Sequence, residues 1–183
     1  FSKTGKIHAD NTDGYGFIQN IIDVMPDYEF YDKTALIYGA GGSARAIASA
    51  LISNGIKEVG ITNRTRAKAQ IISENLGAKA IVVDWRSAPE MITNADIIIN
   101  ATSMGMIGQP VFSQPISRAK KTALVVDIVY NPMVTDLLKE AKRLKLKTVG
   151  GIGMLINQAV PAFEHWFQKK PIIDDEIKRF LIE

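Results

Sequence analysis

Short apolar runs alternate with stretches of helical periodicity along this chain. The runs are apolar at nearly every position, as in strands that are covered on both faces of a sheet. They predict strands over residues 34–38, 58–62, 80–83, 96–100, 124–129 and 147–149. Apolar residues at helical spacing predict helices over residues 11–25, 43–53, 66–76, 88–93, 134–144, 152–167 and 174–182.

The regular alternation of strand and helix indicates an α/β fold. With right-handed crossovers, it predicts a doubly wound parallel sheet of about six strands, with helices on both faces and two helices closing the chain. A segment rich in Gly, Pro, Ser and Gln predicts a long loop over residues 105–117. We predict one domain over residues 1–183.

Composition excludes several classes of function. The net charge of +3 is small and the cations are scattered, which argues against a nucleic-acid-binding protein. With no cysteine and only two histidines, His8 and His165, we expect no metal site and no disulfide. No apolar run has the length of a membrane span and no signal peptide is evident, so a cytoplasmic location without membrane contact is expected.

A glycine-rich turn follows the first predicted strand of the sheet. The pattern Gly39-x-Gly41-x-x-Ala44 lies between that strand and the next helix, where the fingerprint of a dinucleotide-binding domain is found. Gly39 permits a tight turn, Gly41 leaves room for a diphosphate, and Ala44 permits close packing of helix on strand. Gly42 and Ser43 complete the predicted cofactor loop at the helix N-terminus, where unpaired N–H groups favour an anion. A Rossmann-like fold is therefore expected.

The end of the second strand of the sheet predicts which dinucleotide binds. Domains that bind NAD usually carry an acidic residue there, which binds the ribose 2′-hydroxyl. Here the sequence continues Asn63-Arg64-Thr65-Arg66, with Lys68 close behind and no acid. Guanidinium groups bind phosphate through charge-assisted hydrogen bonds, so NADP is the predicted cofactor.

Six segments together resemble the shikimate dehydrogenase family. They occur in the family's order and cover nearly the whole chain. The segments are residues 11–16 (NTDGYG), 39–46 (GAGGSARA), 63–65 (NRT), 100–106 (NATSMGM), 127–132 (DIVYNP) and 151–159 (GIGMLINQA).

The resemblance implies roles for individual residues. Asp13 is similar to the aspartate that works with a lysine at the reacting carbon, Gln158 to a substrate-binding glutamine, and Tyr130 to a tyrosine near substrate and nicotinamide. The implied cofactor contacts are Asn63, Arg64, Thr65 and Lys68 around the 2′-phosphate, and Thr102, Ser103, Gly151 and Met154 beside the nicotinamide half. The implied reaction is reversible hydride transfer from NADPH to 3-dehydroshikimate, giving shikimate, in aromatic amino-acid biosynthesis.

The resemblance also implies a second domain. The family's lysine belongs to an N-terminal substrate-binding domain, and only residues 1–10 precede the NTDGYG segment here. The chain begins at Phe1 and resembles a piece cut from a longer polypeptide. We therefore expect it to bind NADP without turning over shikimate, and to expose an apolar surface that the other domain would cover.

Alternative interpretations remain at this point. The nearest is a quinate/shikimate dehydrogenase, and a more distant one is a non-catalytic NADP-binding sensor. Glutamyl-tRNA reductase and methylenetetrahydrofolate dehydrogenase have similar cofactor domains, but we do not expect them to carry both the NTDGYG segment and the GIGMLINQA helix. The sensor hypothesis gives Asp13, Tyr130 and Gln158 no reason to lie together.

Overall fold

A computed structural model describes residues 2–3, 5–7 and 9–180. His8 and the end of the predicted helix 174–182 lie outside the described residues. The strands are β1 (Ser2–Lys3), β2 (Lys6–Ile7), β3 (Thr34–Tyr38), β4 (Glu58–Thr62), β5 (Ala80–Val83), β6 (Ile97–Asn100), β7 (Leu124–Asp127) and β8 (Lys147–Val149). The helices are α1 (Asp13–Val24), α2 (Gly42–Ser53), α3 (Arg66–Leu76), α4 (Ala88–Met91), α5 (Asp136–Arg143), α6 (Ile152–Phe167) and α7 (Asp175–Phe180).

The main sheet has six parallel strands in the order β5-β4-β3-β6-β7-β8. The chain runs outward from β3 to β5 and then returns to β6 on the other side of β3. Open α/β sheets bind ligands where the strand order reverses in this way, at the carboxyl ends of the strands. The predicted doubly wound, Rossmann-like sheet is confirmed. The strands β1 and β2 form a separate antiparallel pair.

Two apolar layers cover the main sheet, because strand residues alternate between its faces. On one face, Ala35 and Ile37 of β3 belong to a buried cluster with residues of α1, α2, α3 and α6. On the other face, Leu36 and Tyr38 belong to a cluster with residues of α4 and α5 and of the loop before β7. Since both faces are covered, the carboxyl edge of the sheet is the place where polar side chains collect.

Several element boundaries differ from the prediction because polar side chains bind the backbone there. Strand β7 ends at Asp127 rather than at residue 129, since the Asp127 carboxylate accepts the N–H of Val129 (3.0 Å) and the chain leaves the ladder. Helix α5 begins at Asp136 because Thr135 is its N-cap and accepts the N–H of Leu138. Residues 101–123 contain no helix or strand, which confirms the predicted loop.

Helix α6 is continuous from Ile152 to Phe167 although it contains Pro161. Large apolar side chains at its end and beyond are exposed, among them Trp166 (73%) and Phe180 (80%). Among the described residues, no helix combines the length and the apolar character that a membrane crossing requires.

Candidate functional site

The glycine turn after β3 combines one glycine that the protein requires with two that it does not. Gly39 has φ +117°, and a Cβ there would lie 2.5 Å from the carbonyl oxygen of Ala101. A Cβ at Gly41 or Gly42 would meet nothing within 4 Å. Packing within the protein therefore explains Gly39 but leaves open space beside Gly41 and Gly42. That space lies at the N-terminus of α2, where N–H groups lack helical partners and can bind an anion.

A cavity of about 250 Å3 extends from this turn; we call it the Gly39 cavity. Its walls come from the carboxyl ends of four strands. They are Gly39, Ala40 and Gly41 after β3, Asn63 and Arg64 after β4, Trp85 after β5, and Ala101, Thr102, Ser103 and Met104 after β6. The cavity therefore combines a glycine turn, a cation and an aromatic ring.

The segment after β4 contributes only part of the predicted phosphate site to this cavity. Asn63 and Arg64 line it, and the amide of Asn63 donates to the carbonyl of Thr65 (3.0 Å), which fixes the turn before α3. Thr65 and Lys68 are exposed and do not line the cavity. Among the described residues that line the cavity, Arg64 is therefore the one cation.

A buried hydrogen-bond network holds the segment after β6. Asn100 and Asp127, side by side at the ends of β6 and β7, are both fully buried. The amide of Asn100 donates to the Asp127 carboxylate (2.9 Å) and to the carbonyl of Met104 (2.9 Å), while its oxygen accepts from the hydroxyl of Thr102 (2.6 Å). Two wall residues of the Gly39 cavity are thus tied to strand ends.

Hydrogen bonds from neutral groups stabilise the buried Asp127 carboxylate. Besides Asn100 and the N–H of Val129, the hydroxyl of Thr135 donates to it at 2.6 Å. Burial raises the pKa of the Asp127 carboxyl, although its three hydrogen bonds act in the opposite direction. The network therefore fixes the backbone at the ends of two neighbouring strands.

A second cavity, of about 240 Å3, lies beside α1 and α6; we call it the Asp13 cavity. Its lining residues are Asp13, Ser43, Ile128, Tyr130, Gly151, Met154, Leu155 and Gln158. The structure therefore brings Asp13, Tyr130 and Gln158 to one cavity, together with Gly151 and Met154. The two cavities adjoin one turn–helix unit: Gly39 and Gly41 of the glycine turn line the Gly39 cavity, and Ser43 of the helix that follows lines the Asp13 cavity.

Asp13 lies in the first turn of α1, and hydrogen bonds define its position. Its backbone N–H donates to the side-chain oxygen of Asn11 (2.8 Å). The hydroxyl of Ser43 donates to its Oδ2 atom (2.8 Å). Asn11 therefore stabilises the turn that precedes the helix, and Ser43 orients the carboxylate.

Glycines in α1 allow three helices to approach closely enough to form the Asp13 cavity. A Cβ at Gly14 would lie 2.9 Å from the carbonyl oxygen of Ala46 in α2. A Cβ at Gly16 would lie 2.7 Å from the carbonyl oxygen of Met154 and 2.8 Å from the N atom of Gln158 in α6. Because α1 packs against both neighbours at backbone distance, Asp13 and Gln158 reach the same cavity.

Sequence reasoning did not single out Trp85, Met104 or Gly16 as contributors to the site. The position of Trp85, just past the carboxyl end of a predicted strand, was the one signal that could have identified it. Gly42 and Ala44 were predicted cofactor residues but do not line either cavity. Ala44 is buried, with 1% exposure, and packs α2 on the sheet.

The fold and these two cavities define a dinucleotide-binding domain, and comparison with known proteins identifies its family. The family model described as shikimate/quinate 5-dehydrogenase matches residues 22–154, and that of the shikimate 5′-dehydrogenase C-terminal domain matches residues 151–173. The chain therefore belongs to the shikimate/quinate 5-dehydrogenase family, which confirms the resemblance noted in the sequence.

Individual relatives agree with this assignment. A shikimate dehydrogenase (NADP(+)) of Paracoccus denitrificans is 45% identical over 182 residues, which cover 100% of this chain and 64% of that protein. The quinate dehydrogenase of Corynebacterium glutamicum in complex with NAD has a TM-score of 0.88 and 32% identity, covering 98% of this chain and 65% of that chain.

Shikimate 5-dehydrogenase of Thermus thermophilus, in complex with NADP(H) and shikimate, has a TM-score of 0.79 and 31% identity, covering 93% of this chain and 62% of that chain. The present chain thus spans just under two thirds of the length of these relatives.

Proposed function

We propose that this chain is the NADP-binding part of a shikimate dehydrogenase. In this reaction a hydride passes reversibly between NADPH and 3-dehydroshikimate, and shikimate is the reduced product. The observation that carries the proposal is that Asp13, Tyr130 and Gln158 line one cavity, to which the helix after the glycine turn contributes Ser43. A sensor without catalysis gives these three residues no reason to lie together.

The Gly39 cavity fits the adenosine half of NADP. The open space beside Gly41 and the N-terminus of α2 suit a diphosphate, and Arg64 suits the 2′-phosphate. Among the described residues that line this cavity none is acidic, so no carboxylate there would repel a phosphate. The nicotinamide of the bound cofactor would supply the hydride acceptor or donor. Gly151 and Met154, which line the Asp13 cavity, would border the nicotinamide on one side. We expect Thr102 and Ser103 on its other side, although they line the Gly39 cavity.

The Asp13 cavity would hold the reacting end of the substrate. The hydroxyl of Ser43 donates to Oδ2 of the Asp13 carboxylate, so Oδ1 would accept a hydrogen bond from a substrate hydroxyl. Gln158 and Tyr130 add an amide and a phenol, both of which can donate to and accept from a polyhydroxylated ring. We infer that Asp13 orients the reacting hydroxyl while Gln158 and Tyr130 hold the ring.

The proton in this reaction needs a further group. Ketone reduction requires a proton donor. Among the described residues that line the Asp13 cavity none is a lysine or a histidine, and Asp13, Tyr130 and Gln158 are assigned here to binding the substrate. We therefore propose that a substrate-binding domain supplies that group and covers exposed apolar side chains, among them Trp166 of α6 and Phe180 of α7. By itself the 183-residue chain would bind NADP+ without oxidising shikimate. Steady formation of NADPH from NADP+ and shikimate by the purified chain would contradict this part of the proposal.

Calorimetric titration of the chain with NADP+ and with NAD+ tests the cofactor assignment. We expect NADP+ to bind at least about tenfold more tightly, which corresponds to about 1.4 kcal/mol. Arg64→Gln should remove most of that preference, whereas Lys57→Gln should keep it. Lys57 is an exposed lysine just before the other end of β4, so its substitution removes the same charge away from the cavity. Equal or NAD-favouring binding would contradict the 2′-phosphate site and favour a quinate dehydrogenase that uses NAD.

A further inference from the structure

Trp85 gives the Gly39 cavity a wall that differs chemically from the others. It lies two residues beyond β5, and β5 pairs with β4 so that Val83 is beside Thr62. The segments that follow these neighbouring strands therefore begin side by side. Trp85 lines the same cavity as Asn63 and Arg64. An aromatic ring and a guanidinium group thus share one small cavity.

An aromatic side chain of the core packs against the ring of Trp85. The ring of Tyr38 meets it edge-on, with 5.7 Å between ring centroids and an interplanar angle of 88°. Tyr38 is fully buried and in turn meets Phe112 edge-on at 5.0 Å. Trp85 is partly buried at the margin of this apolar cluster. The indole is therefore held rigid by the core while part of it faces the cavity, so a ligand would meet an ordered surface.

The combination of an indole and a guanidinium group selects a ligand with two distinct parts. The indole offers a flat apolar face, on which a planar aromatic group can stack. Arg64 offers charge-assisted donors, which favour an anionic group. A purine nucleotide with a phosphate on its ribose has both parts at adjacent positions, and base–aromatic stacking contributes appreciably to nucleotide binding.

We propose that Trp85 is a binding residue for the adenine base of the cofactor and sets affinity without setting the choice between NADP and NAD. This inference rests on the proposed function, because it assumes that a dinucleotide occupies the Gly39 cavity. It assigns separate tasks to two neighbours: Arg64 distinguishes the two cofactors, and Trp85 binds the base that both share.

Tryptophan fluorescence provides a direct test, because the chain has only two tryptophans. Trp166 is 73% exposed on α6 and does not line the Gly39 cavity. In Trp166→Phe, titration with NADP+ should change the fluorescence of Trp85 saturably, with the dissociation constant that calorimetry gives. In Trp85→Phe, the saturable change should disappear while calorimetry still detects binding, because phenylalanine retains an aromatic face.

Affinity measurements separate stacking from a merely structural role. Trp85→Leu should weaken NADP+, NAD+ and adenosine 2′,5′-bisphosphate by the same factor, about tenfold, and leave the NADP+/NAD+ ratio unchanged. Trp85→Phe should restore most of the affinity. Weakening of NADP+ with unchanged affinity for the adenosine bisphosphate would overturn the inference.

The outcomes also separate this inference from the proposed function. If NADP+ binds to Trp166→Phe with no change in fluorescence and Trp85→Leu keeps its affinity, the adenine assignment is wrong and the NADP site stands. If the unsubstituted chain binds neither cofactor, the proposed function fails and the inference fails with it. Should Trp85→Leu not fold, the titration of Trp166→Phe still decides the question.

Discussion

Ser43, in the first turn of α2, donates its hydroxyl hydrogen to the carboxylate of Asp13, in the first turn of α1, at 2.8 Å. The two residues belong to different proposed tasks, since Ser43 adjoins the glycine turn and Asp13 is the proposed partner of the substrate hydroxyl. The bond is part-buried, so it is only partly screened by water. A hydrogen bond therefore joins the proposed cofactor loop to Asp13, the proposed partner of the substrate hydroxyl.

Ser43→Ala should lower the free energy of unfolding by about 1 kcal/mol, because it removes a part-buried hydrogen bond. Ser49→Ala is the matched control, since Ser49 is exposed on the same helix and its loss should change stability by less than about 0.5 kcal/mol. Urea denaturation measures both. The effect of Ser43→Ala on the free energy of unfolding should differ between the Asp13→Asn variant and the unsubstituted chain, as a double-mutant cycle requires for two residues in direct contact. Equal effects of the two serine substitutions would show that the bond contributes nothing to stability.

Gly16→Ala should destabilise the fold although alanine is the better helix former. The helix-propensity gain is about 1 kcal/mol. The new Cβ would lie 2.7 Å from the backbone carbonyl oxygen of Met154, and a backbone atom cannot rotate away as a side chain can. Overpacking of this kind costs about 1–3 kcal/mol, so after the propensity gain we expect a net loss of stability of up to about 2 kcal/mol.

The matched control for this substitution is Gly42→Ala, measured without cofactor. A Cβ at Gly42 meets nothing within 4 Å, so its stability should stay equal or rise. Thermal or urea unfolding compares the two variants. A gain in stability for Gly16→Ala would mean that α1 and α6 can separate at little cost, and that the close packing is not what brings Asp13 and Gln158 together.

Much of the fold followed from sequence because its signals are local. The glycine fingerprint fixed the strand–turn–helix unit at Gly39, and apolar runs fixed the six strands. The hydrogen bond between Asn100 and Asp127 joins residues 27 positions apart, and no local pattern shows it. The contribution of Trp85 likewise depends on the pairing of β4 with β5, which no single segment determines.

One predicted cofactor residue shows why a motif cannot replace geometry. Lys68 lies close to Arg64 in sequence, and both were expected at the 2′-phosphate. In the structure Lys68 is exposed in the first turn of α3 and does not line the Gly39 cavity. Its place at the phosphate therefore stays a prediction, which Lys68→Gln would test in the same titrations as Arg64→Gln.

Asp127→Ala should destabilise the protein strongly, by about 3 kcal/mol or more. It leaves three buried donors without their acceptor, and each such group costs about 1–3 kcal/mol. Asp127→Asn should cost clearly less. Its amide oxygen can still accept from Asn100 and from the N–H of Val129, and its NH2 group can donate to the hydroxyl of Thr135. Because the network holds Thr102 and Met104, the alanine variant should also bind NADP+ more weakly. Equal losses for Ala and Asn in urea denaturation would mean that the carboxylate charge, and not the hydrogen bonding, matters.

Asp96 should make stability depend on acid pH. Its carboxylate accepts from the ammonium group of Lys120 (2.7 Å) and from the backbone N–H of Thr34 (2.9 Å), which joins the start of β6 to the start of β3. Partial burial by itself would raise the pKa of Asp96, but these hydrogen bonds and the charge of Lys120 outweigh it and hold the pKa below its ordinary value. A folded-state pKa below the unfolded value contributes stability above the unfolded pKa, and that stability is lost as the pH falls through the folded pKa.

Asp96→Asn should therefore reduce the free energy of unfolding by about 1 kcal/mol near pH 7, a modest value because Lys120 is 36% exposed and water screens the pair. The difference from the unsubstituted chain should shrink as the pH falls below about 4, because the Asp96 carboxyl then takes up a proton in the unfolded state first and in the folded state only at lower pH. Asp27→Asn provides the control, since Asp27 is exposed in the turn after α1 and the same chemical change there should be nearly neutral. Urea denaturation at several pH values measures all three proteins. A difference between Asp96→Asn and the unsubstituted chain that stays constant down to about pH 3 would show that packing, and not the ionised carboxylate, accounts for the role of Asp96.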